Sequence, residues 1–147
     1  MQNPSETDRA FSHARDFDPM PFEIDFTGYM SNTVVVRWME MLRVQMMRRY
    51  FSEIDTGSWE HLSVVTRTEI HYANPVRYGE LIRGTTWVED IGRARWRVGF
   101  AFQNTFQRNL AISARQDGTF LNPESLRPVR VPEIIRKRFF ALTHAVA

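Results

Sequence analysis

From Ser31 to Phe51 the chain carries apolar residues on almost every side of one helical period. Val35, Trp38, Met39, Leu42, Met46 and Tyr50 recur at the spacing of a single face. Val34 and Met41 lie on one flank, Val36 and Met47 on the other, and Val44 at the back. Ten of the fifteen residues from Thr33 to Met47 are apolar. A surface helix needs one apolar stripe, whereas a helix this greasy is expected to be buried on nearly all sides. Ser31 or Asn32 is the expected cap at its start. Something large must therefore wrap it, and the rest of the chain reads as sheet.

Four stretches carry strand patterning: residues 61–72, 81–91, 93–105 and 110–121. In the third, Ala94, Trp96, Val98, Phe100 and Phe102 point one way. Asp117-Gly118 in the fourth reads as a bulge or kink. A further strand is expected at residues 17–25, its start limited by Pro19 and Pro21. Asp25-Phe26-Thr27-Gly28 has the chemistry of a turn. Residues 1–16 read as a flexible arm, residues 17–147 as one domain, and residues 133–142 as a short final helix. Strand, long buried helix and then four antiparallel strands describe an α+β fold with the helix on one face of the sheet.

Composition removes several functions. The chain has no cysteine, so disulfides, thiolate metal sites and cysteine nucleophiles are excluded. His13, His61, His71 and His144 are scattered without metal-ligand spacing, so no metal is expected. There is neither a glycine-rich phosphate loop nor a Gly-x-Ser-x-Gly elbow. The pI of about 9.4 suggests a nucleic-acid binder, but 19 basic residues stand against 17 acidic ones. Eighteen of the basic residues are arginine, which raises the pI without a large charge excess, so no nucleic-acid partner is expected. No stretch reaches the roughly 18 apolar residues of a membrane span. The N-terminus lacks a signal-peptide core, and the expected compartment is the cytoplasm.

Three motifs in order resemble the 4-hydroxybenzoyl-CoA thioesterase-like proteins of the hot-dog fold. The first is Asp25-x-x-Gly28 followed by Arg37-Trp38-x-Glu40-x-x-Arg43. The second is Tyr72-x-x-Pro75-x-Arg77-Tyr78-Gly79-Glu80, and the third is Arg127-Pro128 with Val131-Pro132. The resemblance implies an antiparallel sheet wrapped round one long central helix. It implies homodimers joined edge to edge into one continuous sheet, often paired again into tetramers, with the site at the dimer interface.

The implied activity is hydrolysis of an acyl-CoA or acyl-carrier-protein thioester, with coenzyme A part of the substrate and no further cofactor. Asp25 would act as nucleophile or general base. The N–H of Asn32 at the helix start would stabilise the oxyanion, and Gly28 would let the substrate approach. That chemistry is sound in itself, because free N–H groups and a helix dipole favour developing negative charge. Without the resemblance, Asp25 reads as a turn or capping residue. Tyr29, Val34, Val35, Tyr72 and Arg77 are the implied substrate contacts. Arg93, Arg95 and Arg97 share one strand face and could meet CoA phosphates, or could simply form a solvated face.

Where relatives carry an Asn-Tyr pair after the helix start, this chain has Val34-Val35. That departure keeps open a non-catalytic acyl-thioester binder. A hot-dog hydratase or dehydratase is a third reading, opposed by the lack of any histidine between His13 and His61. Glu40 reads as the partner of Arg37 or Arg43 at helical spacing.

Overall fold

The computed structural model describes residues 9–52 and 61–144. Helix α1 spans Val34–Tyr50. Five strands form the antiparallel sheet packed on it: β1 (His13–Phe17), β2 (Leu62–Tyr72), β3 (Ile82–Ile91), β4 (Arg95–Asn104) and β5 (Asn109–Leu121). Their order is β1-β3-β4-β5-β2, so β2 lies at one edge. A two-residue strand, β6 (Pro128–Val129), pairs with the end of β5. Helix α2 (Glu133–His144) closes the described chain. This is the α+β hot-dog arrangement that the sequence implies.

The face of α1 that meets the sheet is the predicted one. Val35, Met39 and Leu42 have no exposed surface, and Trp38 and Met46 are buried with them. Opposite them stand Ile82 of β3, Val98, Phe100 and Phe102 of β4, and Ile112 and Phe120 of β5. Phe17 stacks on Trp38 with ring centroids 4.8 Å apart, tying β1 to the helix. Each such large side chain contributes about 1.5–3 kcal/mol on burial.

The far side of α1 corrects the expectation of a helix buried all round. Val36, Met41 and Val44 remain 44%, 37% and 38% exposed. One sheet covers one helical face, and no second layer covers the other among the described residues.

The first strand also differs. It forms at His13–Phe17, inside the segment read as a loose arm, and pairs with β3 from His13↔Thr86 to Phe17↔Ile82. Residues 17–25 instead contain a 3-10 turn at Pro21–Glu23. The prolines explain this, since each removes a ladder donor. Residues 1–8 of the expected arm lie outside the described residues.

A bulge does occur beside Asp117-Gly118, but β2 carries it. The register shifts between Val65 and Arg67, so Thr66 is the extra residue. Gly118 serves a different end. A side chain there would run into the ring of Trp96 and stand 2.5 Å from the carbonyl oxygen of Val64. Its bare backbone is what lets the indole lie across the sheet.

Candidate active site

The segment before α1 is a closed loop. Ile24 and Met30 form an isolated bridge. Inside it the Asp25 N–H donates to the Tyr29 carbonyl at 2.9 Å, and the Gly28 N–H donates to the Asp25 carbonyl at 3.0 Å. Gly28 takes φ +84°, a conformation that side chains disfavour and glycine accepts freely. The expected turn is therefore present.

The Asp25 carboxylate is held by Thr27. Its Oδ1 accepts from the Thr27 hydroxyl and from the Thr27 N–H, the latter at 2.8 Å. These bonds, the hydroxyl's first, keep its pKa below the ordinary carboxylate value. Asp25 is consequently an anion at neutral pH.

A second segment buttresses this loop. Tyr29 bridges to Arg77, and the Met30 N–H donates to the Val76 carbonyl at 2.8 Å. The Arg77 guanidinium lies over the Tyr29 ring, 5.4 Å from its centroid, and donates to its hydroxyl at 3.4 Å. Glu80 anchors the whole arrangement. It is buried and accepts from the Arg77 N–H at 2.6 Å and from the Asn104 amide at 3.0 Å. Burial pushes its pKa up, but the hydrogen bonds from Arg77, Asn104 and Gln107 outweigh that and hold it low. This positioning role of Glu80 and Asn104 is missing from the sequence reading, which sees only an acid after Gly79. The acid after a turn glycine is visible in the sequence, but its burial is not.

Tyr72 reaches the helix start. Its hydroxyl donates to the Asn32 carbonyl at 2.7 Å, and burial raises its pKa. Regular helix begins at Val34, with Thr33 at the cap position and without a side-chain cap bond. Asn32 thus belongs to the turn that leads into α1, where it is exposed, and Ser31 pairs with the Thr33 hydroxyl at 3.1 Å.

Asp25, Gly28, Tyr29, Asn32, Tyr72 and Arg77 are therefore joined into one patch at one end of the sheet. The other expected site residues lie elsewhere. Val34 and Val35 are 2% and 0% exposed, inside the core. Arg97 is paired with Asp117, donating from Nε to Oδ1 at 2.6 Å. Asp117 lies five residues along β5 from Ile112, the partner of Tyr72, which puts about 17 Å between Arg97 and the patch within one chain.

Arg43 does not pair with Glu40. It turns inward, and its Nη1 donates to Gln116 Oε1 at 2.5 Å. No cluster of metal-binding side chains occurs among the described residues. No helix there is long and apolar enough to cross a membrane.

The model of the Thioesterase-like superfamily matches residues 20–139 of this sequence, most of its length. The chain belongs to that superfamily. Among relatives of this thioesterase-like chain is a Bacillus subtilis (strain 168) protein named "Putative acyl-CoA thioesterase YneP". The two are 28% identical over 109 residues, covering 74% of this chain and 78% of that one. The fold is shared with a DHNA-CoA thioesterase from Staphylococcus aureus at a TM-score of 0.78 and 20% identity, covering 91% and 90% of the two chains. A second Staphylococcus aureus protein, solved in complex with CoA, matches at a TM-score of 0.77 and 13% identity, covering 90% and 82%.

Proposed function

We propose that this chain hydrolyses an acyl-CoA or acyl-carrier-protein thioester, with Asp25 as the attacking or water-activating carboxylate. One observation carries the reading: an aspartate held as an anion by Thr27, in a loop that runs directly into the start of the central helix. Membership of the thioesterase-like superfamily and the CoA-related neighbours support it.

The chemistry follows from the groups present. A thioester carbonyl set over the turn at Asn32 meets backbone N–H groups and the positive end of α1, which stabilise an oxyanion. Tyr72, by holding the Asn32 carbonyl, fixes that turn before substrate arrives. Attack by the Asp25 carboxylate expels the carrier thiolate and leaves a mixed anhydride that water then opens to the free acid; attack by a water that Asp25 deprotonates expels the thiolate and gives the acid directly. Gly28 leaves open space where a side chain would stand. Tyr29 and Arg77 line the approach.

The same reading makes the working unit a homodimer joined through β2, with Arg93, Arg95 and Arg97 reaching CoA phosphates only from the partner. Purified protein assayed across short, long and aromatic acyl-CoAs tests it. Asp25→Asn should lower kcat by about 100-fold or more while the fold persists. Undiminished hydrolysis by that variant would refute the mechanism. CoA-ester binding without turnover by the unaltered protein would make the chain a binder.

A further inference from the structure

A second polar constellation lies away from Asp25, under the C-terminal half of α1. Arg43 sits nine residues along the helix from Val34, about 14 Å. It lines a cavity of about 650 Å³ together with Met46, Met47, Phe51, Trp96 and Phe120. That volume is in the range of small-molecule sites.

One donor in this cavity lacks the anion it calls for. The Arg43 guanidinium is half-buried and accepted only by the neutral Gln116 amide oxygen. Its plane of N–H groups stands over Trp96, 5.9 Å from the ring. Among the described residues no carboxylate lies within ion-pair distance of it. Glu40, one turn earlier, is exposed and acts on Arg43 through its charge without an ion-pair contact. A part-buried cation normally finds an anion.

We propose that this cavity binds a carboxylic acid with an apolar tail or ring, its carboxylate accepting from Arg43. The guanidinium suits a carboxylate, because it offers a fork of N–H groups. Met46, Met47, Phe51 and Phe120 supply an apolar, adaptable wall for the rest of the ligand. The inference does not rest on the proposed hydrolysis, because binding requires no turnover. Such acids are nonetheless what thioester hydrolysis would release.

Calorimetry and tryptophan fluorescence with decanoate test the site, with decanol as the uncharged twin. Decanoate should bind saturably, one per chain, and shift tryptophan emission. Decanol should bind at least about tenfold more weakly, as loss of a charge-assisted pair dictates. Arg43→Gln should bring decanoate down to the level of decanol. If Arg43→Gln does not fold, Met47→Trp fills the cavity without touching the guanidinium and should also abolish binding. Equal binding of acid and alcohol would overturn the proposal. So would full decanoate affinity in either folded variant, or no saturable binding by the unaltered protein, the result expected if a second copy's acid occupies Arg43.

Discussion

Thr27, two residues beyond Asp25, sets the charge of that carboxyl. Its hydroxyl and its N–H both donate to the same oxygen, and a bonded carboxylate gives up its charge only at lower pH. Thr27→Val removes the hydroxyl bond and keeps the shape, so the Asp25 pKa should rise toward the ordinary aspartate value. Carboxyl-carbon NMR titration reads this directly. An unmoved pKa would show that the hydroxyl is not the cause. The sign for stability follows. Asp25 is depressed in the folded state, so its contribution is complete above the unfolded value near 3.9 and is lost as pH falls through the lower folded value. Thr27→Val should shrink that acid-side contribution. At this scale the sequence shows Asp25, Gly28 and Asn32 only through a resemblance, since each alone is an ordinary turn residue. Glu80 and Asn104 stay hidden because their bond joins residues 24 positions apart.

Helix α1 is the most legible element. Its buried set of Val35, Trp38, Met39, Leu42 and Met46 keeps helical spacing because a flat sheet selects one face. Strand β1 is the least legible. Of its residues His13–Phe17 only Phe17 is buried, so no alternation marks it, and pairing with β3 decides it. Gly118 falls between the two: the sequence flags it, yet its purpose belongs to Trp96 on the neighbouring strand. Gly118→Ala should destabilise the protein by about 1–3 kcal/mol, the usual cost of overpacking, measured by urea unfolding. Adding Trp96→Leu should recover part of the loss, because it removes the ring that the new methyl meets. A Gly118→Ala protein as stable as the original would mean that the indole has room to move.

For the molecule as a whole, the unfinished parts are the open face of α1 and the free edge of β2. Eleven residues of β2 run along the sheet with β5 on one side only. A long bare edge invites a strand, and a second copy of β2 is the simplest one available under the proposed function. The hydrogen-bond phase allows a clean test. The Ala73 N–H donates to the Ala111 carbonyl. Antiparallel pairing alternates, so the N–H groups of Ile70 and Thr68, at odd separations from Ala73, point off the sheet. Thr68→Pro therefore deletes an N–H that β5 does not use and blocks one that a partner strand would, at the loss of one side-chain bond from the Gln116 amide to the Thr68 hydroxyl. The variant should sediment as a monomer and lose thioesterase activity. Its melting temperature at low protein concentration should stay within about 5 °C of the original. If Thr68→Pro remains dimeric, the β2 edge is not the joint. If it is monomeric and fully active, Asp25 needs no partner chain, and Arg95 and Arg97 of β4, with Arg93 in the turn before it, have no part in holding CoA.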